Sequence, residues 1–414
     1  MINPVETRLL SFSEARRLVA EYGARLSPTE PELVSLLDGV RLTVAEDLRA
    51  DRDFPPFARA TRDGFAVRAA DVASVPAKLR CIGELKAGVT AEQSALEVRP
   101  GEAVEIMTGA PVPTSADSVV MVEFTQRRGD AVTVKKSVTA GENVVPAGSE
   151  AHKGDVMVSR GTRIHHAVVA VAAAIGKAEV AVYRRPRVSI LSTGDEIVDV
   201  NLPPGPNEIR NSNSYSLAAQ VTEAGGEPLI LPIARDDAEE LEVLIRKGAN
   251  ADLLLITGGV SMGKYDLVEQ VVQKLGAEFF FTGVLIQPGR PLVFGELRSG
   301  VKTTPFLGLP GNPVSTMVTF RLFARPLLDA LAGSSAQPLP FSQAMLRTEF
   351  TTKTGLTRFL PARLSGTYER PEVEPVKWQG SGDLMAVAQS NCYIVVPQDK
   401  GRFEAGESIT ILPF

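Results

Sequence analysis

The sequence is poor in the residues that bind transition metals or cross-link secreted proteins. It has two cysteines and three histidines among 414 residues. Cys81 and Cys392 are far apart, so they form neither a metal pair nor a disulfide framework, and a reducing cytosol is the expected compartment. The neighbours His165 and His166 point in different directions on a helix and are interpreted as structural. A zinc site is therefore not expected.

Long apolar runs and a surplus of positive charge are also missing. No run reaches the roughly 18 apolar residues of a membrane span, and the N-terminus has no apolar core of signal-peptide length. The formal net charge of −5 gives no general basic field for nucleic acid. The sequence thus predicts a cytoplasmic protein without membrane or nucleic-acid partners, in which an anionic ligand needs local donors.

Several common catalytic signatures are absent as well. No Ser-His-Asp or Cys-His arrangement is evident. The chain has neither a P-loop nor a Gly-x-Gly-x-x-Gly fingerprint. Covalent nucleophilic catalysis, ordinary NTPases and NAD enzymes are therefore disfavoured.

The length and the alternation of patterns predict four domains. They are an elongated mixed N-terminal scaffold (1–52 plus 145–180), an inserted small β domain (53–144), a doubly wound, mostly parallel α/β domain (181–332) and a C-terminal β domain (338–414). A helix over 11–22 is expected to be capped by Ser11 or Ser13. In the C-terminal domain, strands are expected at 345–350, 357–364, 384–386, 392–397 and 408–412.

The stretch ADLLLITGGVSMGKY, from Ala251 to Tyr265, looks like a buried strand that opens onto a ligand loop. An apolar run over Asp252–Ile256 suits a parallel strand covered on both faces. The glycines that follow allow backbone N–H groups to approach an anion, and a helix is expected to begin near Gly263 to Asp266. The alternative is an ordinary strand-to-helix turn.

Small, polar or acidic residues follow several of the predicted strands. These segments are Thr193–Glu196, Asn211–Ser214, Thr257–Asp266 and Pro310–Ser315. Parallel strands bring their carboxyl ends to one edge, so the segments are expected to line one crevice. Glycines with hydroxyls suit a phosphate or an oxyanion, and Glu196, Asp236 and Asp266 suit Mg²⁺. Acids at 236–240 also favour a helix start without any function.

Seven motifs occur in an order that resembles the MoeA/gephyrin family of molybdopterin molybdenumtransferases, and the resemblance covers essentially the whole chain. The motifs are Thr61–Val67, Ile106–Ala110, Leu191–Glu196, Asn211–Tyr215, Thr257–Gly263, Gln287–Pro291 and Leu309–Ser315. The resemblance implies a MogA/MoaB-like central domain. It also implies Mg²⁺-dependent insertion of molybdate into adenylylated molybdopterin with release of AMP.

The resemblance also implies site residues and partners. The catalytic residues would be Asp63, Thr108, Glu196, Asp236 and Asp266, with Asp63, Glu196 and Asp266 as metal ligands.

The family forms a homodimer in which the β-domain loop of one protomer faces the α/β crevice of the other, and the molybdopterin adenylyltransferase is a further candidate partner. The substrate-binding residues would be Thr193, Gly194, Asp195, Ser212, Asn213, Ser214, Thr257, Gly258, Gly259, Ser261, Gly263, Pro288, Arg290, Pro310, Gly311, Asn312, Pro313, Ser315, Arg358 and Ser381.

Three positions depart from the family pattern. Asn211 stands where many members have Asp, which is expected to remove one charge from the crevice. Gln287 stands where the family often has Lys, and Gly283 stands where some members have a second Lys. Molybdate needs cationic or amide donors, so Arg290, Arg358 and Ser381 are the candidates to supply them. Arg358 and Ser381 are equally consistent with ordinary surface residues of a β domain.

Two alternative functions remain open from the sequence. One is the adenylyltransferase that precedes molybdenum insertion, because the α/β domain resembles that enzyme too. The other is a non-catalytic molybdopterin-binding scaffold. No residue distinguishes molybdate from tungstate, because the two oxyanions are close in size and charge.

Overall fold

A computed structural model describes residues 8–259, 267–300, 302–334 and 338–414. The chain divides into two compact units, each formed by discontinuous segments. The first comprises Met1–Ala45, Gly161–His165 and Ala181–Phe414, and the second comprises Glu46–Arg160 and His166–Val180. Within the described ranges, no helix is long and apolar enough to cross a membrane.

The first unit contains a central sheet of six strands within the described residues. The strands are β1 (Arg187–Ser192), β2 (Glu227–Ile230), β3 (Leu253–Thr257), β4 (Glu278–Phe281), β5 (Val293–Ser299) and β6 (Lys302–Leu309). Their order is β2-β1-β3-β6-β5-β4. The first four strands in this order are mutually parallel, β5 pairs antiparallel with β6, and β4 pairs antiparallel with β5. The predicted mostly parallel sheet is confirmed.

Helices cover both faces of this sheet. They are α1 (Ser212–Glu223), α2 (Ala238–Gly248), α3 (Leu267–Lys274) and α4 (Pro313–Thr319), and the last continues through a π-helical turn, Phe320–Ala324, into Arg325–Leu331.

Successive side chains of β3 face opposite sides of the sheet. Leu253 and Leu255 belong to one core, with residues of α1 and α4, and Leu254 and Ile256 belong to the other, with residues of α2 and α3. The continuous apolar run of β3 follows from this burial on both faces.

A helix over Phe12–Gly23 packs Ala15 and Val19 into the first of these cores. Ser11 is its cap: the Glu14 amide donates to Ser11 Oγ (3.3 Å), and the Ser11 amide donates to a Glu14 carboxylate oxygen (2.9 Å). This reciprocal pair satisfies two amides of the first turn and selects Ser11 over Ser13. Short strands of the same unit are Leu9–Leu10, Pro31–Ser35, Ile197–Val198, Ile209–Arg210 and Gly283–Val284.

The C-terminal segment forms a closed β-barrel. Its strands, in the order in which they pair, are Thr357–Gly366, Pro371–Pro375, Ser342–Leu346, Ser408–Pro413 and Cys392–Val396, and the last pairs back with the first. Ile286–Gln287 adds to the barrel beside Thr357 and Arg358. A separate pair joins Phe350–Thr351 to Arg402–Phe403.

The strand expected at 384–386 is wrong, because Leu384–Ala388 is a helix. Asp383 caps it by accepting a hydrogen bond from the Ala386 amide (3.1 Å). Ala386 and Val387 are buried, whereas Leu384 and Met385 are exposed. A capping aspartate before a short apolar run is a helix signal, and here it prevails over the apolar pattern.

The second unit is built on another six-stranded sheet within its described residues. The strand order is Ser118–Met121, Gly64–Val67, Glu102–Ile106, Ala77–Leu85, Ala131–Val134 and Thr125–Arg128. The unit also contains the strand pairs Arg59–Ala60 with Val144–Val145 and Leu48–Arg49 with Val156–Val158, and the helices Ala91–Ser94 and His166–Ala174. A strand over Glu179–Tyr183 links the two units along the chain.

Candidate functional site

Polar segments converge at the carboxyl ends of β1, β3 and β6. The Thr193 amide donates to the Thr257 carbonyl (3.0 Å). The Asn213 side-chain amide donates to Thr257 Oγ1 (3.0 Å) and to the Gly311 carbonyl (2.8 Å), and Thr257 Oγ1 donates to the Pro310 carbonyl (3.2 Å). Asn213 therefore ties the start of α1 to the segments that follow β3 and β6. The sequence predicted this proximity from the parallel order of the strands.

The glycines after β3 are required by the close packing of these segments. Gly258 has φ +88°, and a Cβ there would lie 2.3 Å from the Thr193 carbonyl oxygen. Gly259 has φ +62°, and a Cβ there would lie 2.7 Å from Thr193 Oγ1. Gly311 differs from these two, because a Cβ there would lie 3.5 Å from the Gly258 Cα, an ordinary van der Waals contact. The glycine pattern is thus explained by packing as well as by access for a ligand.

Two polar atoms of this crevice have unused hydrogen-bonding capacity. Thr193 Oγ1 and Asn213 Oδ1 are buried, and neither has a hydrogen-bond partner among the described residues. Buried polar atoms are normally paired, so both are available to a bound ligand or to ordered water. Asn213 Oδ1 accepts hydrogen bonds only, which favours a ligand group with an N–H or O–H donor.

Asn211 is part of a closed hydrogen-bond ring rather than a wall of the crevice. It is 5% exposed. Its Nδ2 donates to Ser214 Oγ (3.0 Å), Ser214 and Ser192 hydroxyls lie 2.8 Å apart, and Ser192 Oγ donates to Asn211 Oδ1 (3.0 Å). The Ser214 amide donates to the same Oδ1, so Asn211 also caps α1.

This ring changes the interpretation of the departure at Asn211. The expectation that an uncharged residue removes charge from the crevice assumed that the side chain faces a ligand. The side-chain oxygen and nitrogen of Asn211 instead form hydrogen bonds with Ser192 and Ser214 within the fold. Ser192 belongs to the Leu191–Glu196 motif, but it was not among the predicted site residues.

Acidic residues gather beside the crevice. The Asp236 amide donates to Asp195 Oδ1 (3.2 Å). Burial, followed by the negative charges of Asp195 and Glu196, raises the pKa of the Asp236 carboxyl above its ordinary value. A Cβ on Gly194 would lie 2.6 Å from a Glu196 carboxylate oxygen, so Glu196 folds back over the turn. Mutual repulsion of this kind is relieved when a divalent cation binds.

The structure does not complete a metal site from these acids alone. Within the described ranges, no group of three or more His, Cys, Asp or Glu side chains is arranged to hold a metal ion. Asp266, Ser261 and Gly263 lie outside the described residues. The predicted magnesium ligands therefore remain a prediction.

Asp236 and its neighbour Asp237 are expected to have opposite effects on stability. Because the pKa of the Asp236 carboxyl is raised in the folded state, the free energy of unfolding that this residue contributes falls as the pH rises through the carboxyl range. Asp236→Ala should therefore raise the free energy of unfolding at neutral pH by about 0.3 kcal/mol, and this gain should disappear in acid.

Asp237 is the matched control for that substitution. It caps α2 by accepting from the Glu239 and Glu240 amides at 3.0 and 2.9 Å. Asp237→Ala should lower the free energy of unfolding by about 1 kcal/mol. Urea unfolding at several pH values measures both variants, and a loss of stability in Asp236→Ala at neutral pH would contradict the proposed repulsion.

Asp63 and Thr108 form a contact in the second unit. Asp63 Oδ1 accepts from the Thr108 amide (2.7 Å) and from Thr108 Oγ1 (2.8 Å). These bonds, the amide first, lower the pKa of the Asp63 carboxyl. Both side chains are exposed. The loop thus presents an ionised carboxylate whose orientation is fixed by its threonine partner.

The candidates for oxyanion binding lie around the barrel and the start of α4. Arg358 is only 7% exposed, and its Nε donates to the Lys353 carbonyl (2.9 Å). Burial lowers the pKa of its guanidinium. The Ser381 carbonyl accepts from the Val314 amide (3.0 Å), which places Ser381 beside the segment that follows β6. The surface interpretation of Arg358 is wrong.

The remaining predicted residues that the structure describes also belong to the first unit. Arg290 is exposed and follows the buried Pro288, which ends the pairing of Gln287 with Arg358. Asn312 stands at the cap position of α4, where its side chain makes no capping bond, and Pro313 begins the helix. Ser315 is 4% exposed, and its carbonyl accepts from Thr319 Oγ1. Ser212 begins α1.

The fold and the crevice define a class: a multidomain protein with a doubly wound α/β domain that collects polar loops at its strand ends. The model for a probable molybdopterin binding domain matches residues 189–330, which is this domain. The model for the MoeA N-terminal region (domain I and II) matches residues 10–176, and that for the MoeA C-terminal region (domain IV) matches residues 343–414. The chain belongs to the MoeA family.

Relatives of known name support this assignment. The chain is 34% identical to the molybdopterin molybdenumtransferase of Bacillus subtilis over 392 residues, which cover 92% of this chain and 90% of the relative. It is 33% identical to that of Haemophilus influenzae over 413 residues, with coverage of 98% and 99%. A MoeA crystal structure from Pyrococcus horikoshii OT3 superposes with a TM-score of 0.79 at 29% identity, covering 98% of this chain and all of the other.

Proposed function

We propose that this chain inserts molybdenum from molybdate into adenylylated molybdopterin, with Mg²⁺-dependent cleavage of the phosphoanhydride and release of AMP. Membership of the MoeA family makes it a transferase of molybdenum cofactor biosynthesis. The adenylylated form of the substrate, the metal and the leaving group are the finer part of the proposal. The observation that carries it is the crevice in which Asn213 ties the start of α1 to the segments that follow β3 and β6, beside an acidic group.

The crevice offers the groups that an anionic pterin substrate needs. Amide groups and hydroxyls at the strand ends can donate to phosphate and pterin oxygens. Asn213 Oδ1, which has no hydrogen-bond partner among the described residues, can accept from a pterin N–H. Carboxylates next to a phosphate would repel it without a cation between them. Glu196 and Asp236 fit Mg²⁺ because they offer oxygen ligands, and Asp63 and Asp266 are proposed as further carboxylates.

The magnesium ion, when bound, would neutralise the phosphoanhydride and help the AMP phosphate to leave. Thr193 and Asn213 would orient the pterin end, since both lie where the strand ends meet. Arg358, Ser381 and Arg290 are proposed to supply donors for molybdate, because the positions of Gln287 and Gly283 carry no cation.

We extend the proposal to a cytoplasmic homodimer. Asp63 and Thr108 belong to a different compact unit from the crevice. In the proposed dimer, the loop that carries them faces the crevice of the partner protomer. Such a dimer would bring Asp63 of one protomer and Glu196 of the other together in one composite site.

The proposal is tested by incubating the full chain with adenylylated molybdopterin. AMP release is expected to require both molybdate and Mg²⁺, and to be abolished when either is left out. AMP release that is independent of molybdate would contradict insertion. Formation of adenylylated molybdopterin from ATP and molybdopterin by this chain would instead support the adenylyltransferase alternative.

A further inference from the structure

The hydrogen-bond ring of Ser192, Asn211 and Ser214 contains the chain neighbours of the two crevice residues that have unpartnered polar atoms. Ser192 precedes Thr193, and Ser214 follows Asn213. We propose that this ring, called the Asn211 ring below, holds Thr193 and Asn213 in place, so that Ser192 and Asn211 are positioning residues for the pterin end of the substrate. The inference rests on the proposed function and adds to it two residues that act without touching the ligand.

Only one order of donors and acceptors satisfies every contact of the Asn211 ring. Asn211 Nδ2 donates to Ser214 Oγ (3.0 Å), and Ser192 Oγ donates to Asn211 Oδ1 (3.0 Å). Each hydroxyl has a single hydrogen, so Ser214 donates to Ser192 across their 2.8 Å contact. Each side chain therefore donates once around the ring, and the direction of both hydroxyls is fixed.

Burial strengthens the Asn211 ring. Ser192 is 3% exposed, Asn211 is 5% exposed and Ser214 is fully buried. Because water cannot readily replace a lost partner at this depth, removal of one hydroxyl leaves the other polar groups unsatisfied. The Ser214 amide also donates to Asn211 Oδ1 (3.1 Å), which joins the ring to the first turn of α1. The ring thus holds the end of β1 and the start of α1 at one separation.

This separation sets the positions of the two crevice residues. The Thr193 amide donates to the Thr257 carbonyl (3.0 Å), and Asn213 Nδ2 donates to Thr257 Oγ1 (3.0 Å). Thr193 Oγ1 and Asn213 Oδ1 remain without a partner among the described residues. A ligand that binds both atoms needs them at a fixed spacing, and groups that are already in place bind with less loss of conformational entropy. The Asn211 ring supplies this spacing.

The alternative is a ring that serves only as a helix cap. Asn211 caps α1 through its bond from the Ser214 amide, and this cap needs neither hydroxyl. The cap therefore explains Asn211 but not the hydroxyls of Ser192 and Ser214. Their bonds connect α1 to the end of β1, which is the connection that positions Thr193 relative to Asn213.

Molybdopterin binding to the full chain, measured by calorimetry, tests this inference. Ser192→Ala opens the ring and should weaken molybdopterin binding about 10-fold. Ser192→Thr retains the hydroxyl and should restore most of the affinity. Asn211→Ala should cause a loss similar to that of Ser192→Ala. The double variant should lose far less than the product of the two single losses, because both substitutions open the same ring.

Steady-state kinetics distinguish positioning from a general loss of structure. Ser192→Ala should raise the KM for adenylylated molybdopterin about 10-fold and change kcat by no more than about 2-fold, as expected for a residue that acts on binding.

Ser189→Ala is the matched control. Ser189 lies on the same strand and is 2% exposed, but its Cβ would be 3.5 Å from a Cβ on Gly248, so it faces α2 rather than the ring. This variant should bind molybdopterin as the unaltered chain does. If Ser192→Thr does not fold, the comparison of Ser192→Ala with Ser189→Ala decides.

The outcomes separate this inference from the proposed reaction. Unchanged molybdopterin affinity in Ser192→Ala, independent losses in the double variant, or no molybdopterin binding by the unaltered chain would overturn the inference. Molybdopterin binding that depends on Ser192, in a chain that releases no AMP, would support the inference and contradict the proposed reaction.

Discussion

Asp63→Asn is expected to lower molybdate-dependent AMP release by about 10²-fold or more, with little change in the free energy of unfolding. The asparagine Oδ1 can still accept both hydrogen bonds from Thr108, so the loop should retain its conformation. The substitution removes only the negative charge that is proposed to act on the magnesium-bound substrate. Steady-state AMP release and urea unfolding of the same preparation measure the two effects.

Asp130→Asn is the control for charge in the same β domain. Asp130 is exposed, and its backbone carbonyl, not its side chain, accepts from the Cys81 amide. We expect this variant to release AMP at the unaltered rate. Retention of full activity by Asp63→Asn would remove Asp63 from the proposed site.

Gly258→Ala is expected to lower the free energy of unfolding by about 3 to 5 kcal/mol and to abolish AMP release. Two costs combine at this position. The φ of +88° disfavours any residue with a Cβ, and that Cβ would stand 2.3 Å from the Thr193 carbonyl oxygen. The carbonyl belongs to the backbone at the end of β1, so it cannot move without disturbing the crevice. Urea unfolding and the AMP assay measure both losses.

Gly276→Ala separates the two costs. Gly276 has a similar φ of +81°, but a Cβ there would have no heavy atom within 4 Å. Only the conformational cost of about 1 to 2 kcal/mol should remain, and AMP release should persist. Equal destabilisation by the two substitutions would show that the contact with Thr193 is unimportant.

The sequence predicted the central domain well because its elements have strong and regular signals. The apolar run of β3 suits a strand buried on both faces, and alternating strands and helices imply a parallel sheet. The parallel order then places the polar segments at one edge, where Asn213 joins Thr257 and Gly311. The family resemblance, carried by the seven motifs, is confirmed by the three family models.

Side-chain direction could not be predicted in the same way. Asn211 looked like a residue of the crevice wall, but it caps α1 and closes a ring with two buried serines. Arg358 was consistent with the surface of a β domain, and it is buried because its strand belongs to a closed barrel. Ring formation and barrel closure both depend on residues distant in sequence, which no local pattern reports.

Local propensity also failed where two signals competed. Leu384–Ala386 has an apolar pattern that suits a strand, yet the preceding Asp383 caps a short helix. Lys302 shows the same limit in another form, since its position in the sequence gives no sign that its ammonium bonds the carbonyls of Asn250 and Ala251 in the turn after α2. Both contacts become visible only when the backbone is in place.

The composite site is tested most directly by mixing two inactive variants. Asp63→Asn and Glu196→Gln are each expected to be inactive alone, and they are exchanged into mixed dimers before AMP release is measured. If the Asp63 loop of one protomer serves the crevice of the other, half of the dimers are mixed and each has one intact site, so about a quarter of the unaltered activity should return. If the mixture remains as inactive as its components, the proposed arrangement of the site across two protomers is contradicted.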